Sequence, residues 1–140
     1  MHSKVVAKAV IQNERGEVLL LKRSADDERR PGEWDFPGGG IEQGEGLTAG
    51  VLREIHEEAG VTIASSDLRL VYAATEPWEP TKESVTRLLF TGKVASSDVA
   101  LSFEHEDYKW VDIDTALRDF PHPFYGKGLD YARTHGLLPE

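Results

Sequence analysis

Between Pro37 and Val61 the chain passes from three consecutive glycines, Gly38, Gly39 and Gly40, into an amphipathic helix, and no other feature constrains the fold as much. Leu47, Val51, Leu52, Ile55 and Ala59 recur at spacings of three and four, which lays one apolar stripe along Leu47–Ala59. Gly60 follows where a left-handed C-terminal cap is expected. Beside the stripe, Glu54, Glu57 and Glu58 stand at i, i+3 and i+4, so their carboxylates leave the helix within a turn of one another. Glu54 and Glu58 repel at this spacing, a small cost without return in a helix built only for stability, whereas Arg53 can pair with Glu57. Hard oxygen ligands gathered in this way suit Mg²⁺ or Mn²⁺. Glycines before the helix permit positive φ and bring backbone carbonyl and N–H groups close to a bound anion or metal. Three acids alone read as a solvated face, and three glycines alone as a tight turn. Together, in this order and joined by Glu42 and Glu45, they point to a metal site.

The flanking sequence places this unit within a mixed fold. Val5–Gln12 and Glu17–Arg23 are expected as a strand pair around the turn Asn13-Glu14-Arg15-Gly16. A polar loop, 24–33, leads to a short strand at Trp34-Asp35-Phe36, and the glycine triplet is expected as loop. Asp67–Ala74 and Ser84–Val94 are expected strands, with a loop carrying Pro77, Trp78 and Pro80 between them. Tyr108–Ile113 is a further strand, followed by helices at Asp114–Phe120 and Tyr125–His135. The pattern predicts an α/β protein, a mixed sheet sandwiched between helices, in one domain over residues 1–140.

Composition narrows the function. With 16 Lys plus Arg against 25 Asp plus Glu, the formal charge is −9. Such a surplus argues against binding a nucleic-acid polymer, which depends on clustered cations. The absence of Cys excludes disulfides, thiolate metal sites and thiol chemistry. No apolar run reaches membrane-span length, and the N-terminal segment lacks a signal pattern, so no membrane partner and a cytoplasmic location are expected.

Gly39, five residues, Glu45, seven residues, then Arg53-Glu54-Ile55-His56-Glu57-Glu58-Ala59-Gly60-Val61 resembles the Nudix box at all nine of its defined positions. Trp34-Asp35-Phe36-Pro37-Gly38 and Glu42-Gln43-Gly44-Glu45 are similar to the family's approach to the box. Gly50 departs from the Ala common at that place, and an interior helical glycine costs about 1 kcal/mol relative to Ala. The resemblance implies a Nudix fold and hydrolysis of a nucleoside diphosphate linked to another moiety, with water attacking phosphorus. Because a polyphosphate repels an acidic protein, divalent cations must bridge the two.

On this reading Glu54, Glu57 and Glu58 are the metal ligands, and family analogy adds the Gly39 carbonyl. Arg53 orients Glu57, and Glu45 supports Arg53 or the metal shell. The resemblance leaves the general base open between a box glutamate and an acid of the Glu104-His105-Glu106 run, of which Glu104 is the first choice. Lys22, Arg23, Arg29 and Arg30 are candidate phosphate contacts. Trp34, Tyr72 and Trp78 are candidates for stacking on a base, set against ordinary burial in a core. His2, His122 and His135 are expected at the surface. The 75–80 segment is faintly similar to the motif of NADH-type Nudix enzymes but lacks its second aromatic and its serines.

The leading expectation is a Mg²⁺-dependent pyrophosphohydrolase, with Mn²⁺ as a substitute metal. It would convert a nucleoside triphosphate, standard or oxidised, to the monophosphate and pyrophosphate as a monomer or homodimer. ADP-ribose, dinucleoside polyphosphates and nucleotide sugars are alternative substrates of the same chemistry. A nucleotide-sensing module without turnover is the alternative of another class.

Overall fold

The computed structural model describes residues 3–78 and 83–139; the side chains of Ser3 and Trp78, and all of His2 and Pro80, lie outside the described residues. The strands are β1 (Ser3–Gln12), β2 (Val18–Arg23), β3 (Trp34–Asp35), β4 (Gly38–Gly40), β5 (Arg69–Trp78), β6 (Glu83–Lys93) and β7 (His105–Val111). The helices are α1 (Leu47–Ala59), α2 (Ile113–Asp119) and α3 (Pro123–Thr134). Among the described residues no helix is long and apolar enough to cross a membrane.

β1 runs through the middle of the sheet with Ala7, Ala9, Val10 and Ile11 all fully buried. Its apolar run, interrupted by Lys8, follows from being covered on both faces. β6 pairs with it in parallel from Ser3↔Ser84 to Gln12↔Lys93, and β5 lies antiparallel outside β6 as an edge strand. Along its other edge β1 has two partners. β2 joins at Gln12↔Val18, while β4 takes Val6, Lys8 and Ala7 between them. The sheet therefore forks at the middle of β1, and β2 continues outward to β3 and β7. Odd-numbered β1 residues face α1, whose Val51, Ile55 and Ala59 fill the core beneath them. Val10, Val18, Leu20 and Leu89 face the opposite layer, packed against Ala116, Tyr125 and Leu129 of α2 and α3. A mixed sheet between helices is thus the observed architecture.

Several local expectations are corrected. The glycine triplet is a strand rather than a loop. Gly38 has φ +129°, and a Cβ there would run into the Ala7 carbonyl oxygen, so only glycine lets β4 lie against β1. Pro77 and Trp78 belong to β5, opposite Ser84 and Glu83; an edge strand tolerates the missing proline donor. β7 begins at His105 rather than Tyr108. α3 begins at Pro123 rather than Tyr125, with proline in the first turn and His122 as its cap. At Gly50, a Cβ would sit 2.8 Å from Glu45 Oε1 and 2.9 Å from Ile41 Cδ1. The glycine admits a close approach of the preceding loop to α1.

Candidate active site

Where the sheet forks, the two central strands lay down a floor. Lys4, Val6 and Lys8 of β1 and Glu83, Val85 and Arg87 of β6 line a cavity of about 760 Å³, with Lys4 opposite Val85 and Val6 opposite Arg87. The β4 glycines form one border, with Glu54 and Glu58 of α1 beside them. Arg23, Arg29 and Arg30, Glu104, and the Phe120–Tyr125 connection complete the walls.

The first wall is acidic. Glu58 falls within the apolar stripe of α1 and is only 8% exposed. The Gly38 N–H donates to its Oε1 at 2.7 Å, and His105 Nε2 lies 3.9 Å from its Oε2. Burial pushes the Glu58 carboxyl up to about 7 against the pull of Lys8. Partial burial also raises Glu54. A Cβ on Gly39 would stand 3.0 Å from Glu54 Oε2, so the bare glycine lets backbone and carboxylate crowd together.

Glu57 is different. Its side chain is 57% exposed, it does not line the cavity, and Arg53 Nη1 donates to its Oε2 at 3.1 Å. Arg53 also grips Glu45 with two hydrogen bonds, Nε to Oε2 at 2.6 Å and Nη2 to Oε1 at 3.0 Å. The Arg53 bond, with help from the Glu42 N–H, holds Glu45 down at about 2. Glu45 is therefore expected to titrate near 2 by carboxyl NMR, because a depressed value keeps its charge until pH falls well below 4.5. In Arg53→Met the midpoint should return towards 4.5; an unchanged midpoint would show that the pairing does not operate in solution.

Among the described residues, no three carboxylate or imidazole groups stand together as a ready metal cage. Arg53 draws Glu57 aside and the Gly38 N–H engages Glu58. Glu54, Glu58, Glu104 and the Gly39 backbone nevertheless line one cavity. Such an all-oxygen set, with one buried carboxylate, fits a hard divalent cation.

The basic part of the cavity is organised by one buried acid. Asp35, 1% exposed, accepts at a single oxygen from Lys8 Nζ at 3.0 Å, Arg23 Nη1 at 3.1 Å and Arg30 Nη2 at 2.9 Å. Its other oxygen is buried without a partner. Burial works against the Lys8 ammonium, but Asp35 and Glu58 outweigh it and its pKa lies above the ordinary value. The arginine loop has its own clamp: Asp27 Oδ1 accepts from the Arg29 and Arg30 N–H groups, and Arg23 pairs with Asp27 Oδ2. The Arg30 N–H first, then Arg23, holds Asp27 well below the usual carboxylate range.

Of the residues anticipated for substrate, Arg23, Arg29 and Arg30 line the cavity. Lys22 and Trp34 are not brought to it. Lys22 sits opposite Trp34 in the β2–β3 register, and Trp34 packs against the α2/α3 core with Lys109 Nζ 4.1 Å above its ring. Tyr72 packs on Phe124 and Tyr131 at centroid separations of 5.4 and 5.6 Å. Trp78 closes β5, its side chain outside the described residues. Glu104 lines the cavity from an exposed loop held by the Ser24 N–H on its carbonyl. Glu106 is exposed, whereas His105 is buried and pushed down to about 4 by that burial. His135 is exposed, but His122, expected at the surface, lines the cavity. Lys8, Asp35, Arg87 and Tyr125 escaped the sequence reading. Lys8 carried the one available signal, a lysine inside an otherwise buried strand.

The sequence matches the NUDIX domain family over residues 2–130. Among curated relatives it is similar to the nucleoside triphosphatase NudI of Klebsiella pneumoniae, at 30% identity over 81% of this chain and 85% of that protein. NudI of Salmonella arizonae is also 30% identical, over 92% and 99%. Among solved structures, a MutT protein from Methanosarcina mazei superposes with TM-score 0.77 at 32% identity, covering 96% of both chains. An Ap4A hydrolase from C. elegans gives TM-score 0.70 at 26% identity, over 94% and 96%.

Proposed function

The chain belongs to the NUDIX family of hydrolases, and from that premise we propose that it hydrolyses a nucleoside triphosphate to the monophosphate and pyrophosphate in one domain over residues 1–140. The observation that carries this reading is that one cavity gathers carboxylates and cations together: Glu54, Glu58 and Glu104 with Arg23, Arg29 and Arg30, above Lys8 in the floor. A polyphosphate in that cavity meets the arginines directly. Beside the glutamates it would require a divalent ion to offset the like charges. The names of the NudI relatives support the triphosphate as substrate.

Glu54, Glu57, Glu58 and the Gly39 carbonyl would hold Mg²⁺; Glu57 is the exposed member, paired with Arg53. Such a cation would make water more acidic and would offset charge that builds on the leaving phosphate. Glu104, exposed and on the cavity lining, takes the proton from the attacking water. Arg53 and Glu45 lock the first turns of α1 to the loop before it, which fixes where the glutamates start. Arg23, Arg29 and Arg30 orient the phosphate oxygens. One water is consumed: its oxygen forms a new P–O bond as the P–O–P bond between the first and second phosphates breaks, monophosphate and pyrophosphate leave, and the proton taken by Glu104 passes to solvent.

Metal removal tests the bridging role. Turnover is expected to vanish in excess chelator and to return with Mg²⁺ or Mn²⁺. Turnover that survives chelation would overturn it, and tight nucleotide binding without turnover of any triphosphate would instead mark a sensor.

A further inference from the structure

Along β1, Lys8 to Lys4 is four residues of strand, about 13 Å. A nucleotide with its phosphates beside the arginines and the α1 glutamates, at the Lys8 end of the floor, extends its base towards Val6, Val85 and Arg87, near Phe120 and His122. That end of the cavity contains hydrogen-bonding groups the hydrolytic reading does not use.

His122 caps α3: the Phe124 N–H donates to its Nδ1 at 3.2 Å. With Nδ1 accepting, the neutral ring carries its proton on Nε2, so Nε2–H is a donor, and it has no partner among the described residues. Burial and the nearby Arg87 hold the ring below the ordinary histidine value, in keeping with a neutral cap. Arg87, a donor only, forms no ion pair among the described residues, and its Nε is buried without a partner. The Tyr125 hydroxyl, in a fully buried residue, is turned towards Arg87 without completing a hydrogen bond. Glu83 is the carboxylate on the cavity lining at this end, and Glu76 of β5, opposite Val85, acts on His122 from outside that lining. Donors thus predominate over apolar floor residues, and a ring seated there gains most by presenting oxygen to His122 and Arg87.

Resting on the triphosphate reading above, we propose that this end of the cavity receives the base. It selects bases with oxygen at pyrimidine C4 or purine C6, namely uracil, thymine, guanine and hypoxanthine. Cytosine and adenine place an amine donor at that position, against the donors of the protein.

The test uses matched monophosphates that differ at this edge, UMP against CMP and IMP against AMP, with Kd measured by calorimetry in Mg²⁺. UMP and IMP should bind about tenfold tighter than their partners, as one well-made hydrogen bond against one mismatch implies. His122→Ser keeps a capping side chain but no longer reaches the base, and should bring each pair within about twofold. Arg87→Met should do the same. Equal binding within pairs by the wild type, absence of binding by all four, or an Arg87→Met loss uniform across them would overturn the proposal; the last would assign Arg87 to phosphate. Triphosphate turnover, followed on the same preparations, separates the two readings. Discrimination without turnover contradicts the hydrolytic reading alone, and turnover without discrimination contradicts the base selection alone.

Discussion

Glu58→Gln is expected to lower turnover about a thousandfold or more, while the metal-free protein remains folded and at least as stable as the wild type. The two halves of this result have one cause. Glu58 is 8% exposed, inside the apolar stripe of α1, where an ionised carboxylate is costly to bury. Glutamine keeps the shape and an oxygen to accept from the Gly38 N–H, and removes the charge. A helix selected for stability alone would carry an apolar residue here, and the proposed cation accounts for the carboxylate. Turnover is followed by pyrophosphate release in Mg²⁺, and stability by urea unfolding in chelator. Activity within about tenfold of wild type would remove Glu58 from the metal site.

Asp35→Ala is expected to destabilise the protein by about 3–5 kcal/mol, because a buried acid is taken away from cations that stay behind. Lys8 dominates that cost, since it is 6% exposed and cannot rehydrate without leaving its place in β1. Arg23 and Arg30, whose side chains are 21% and 35% exposed, retain access to water. The double variant Lys8→Met with Asp35→Leu should recover much of the lost stability, because paired buried charges are replaceable by apolar side chains of similar volume. It should not recover activity, since the phosphate wall would be unmoored. Urea midpoints on both variants measure this. A single variant within about 1 kcal/mol of wild type would show that the three cations do not depend on Asp35.

The parts of the site that were legible in the sequence are local ones. Periodicity alone puts Glu54 and Glu58 on α1, and Gly60, at φ +66°, ends the helix where a left-handed cap was expected. Arg53 reaches Glu57 as the i, i+4 spacing implies. What remained hidden depends on pairing between distant segments. The glycine triplet looks like a loop until β1 is laid beside it, about 30 residues earlier in the chain. Lys8 and Arg87 approach one cavity only because β1 and β6 run parallel in one register. Trp34 and Tyr72 resembled stacking platforms by residue type, yet alternation along their strands turned both into the α2/α3 layer. His122 carried no sign of its place, which follows from the turn of chain between α2 and α3.

The central claim is that this cavity cleaves a triphosphate between its first and second phosphates with a divalent metal. Phosphorus-31 NMR of a nucleoside triphosphate incubated with the protein measures it directly. With Mg²⁺, monophosphate and pyrophosphate should rise in equal amounts, and in chelator neither should appear. Diphosphate with orthophosphate, or no change in any triphosphate offered, would contradict it.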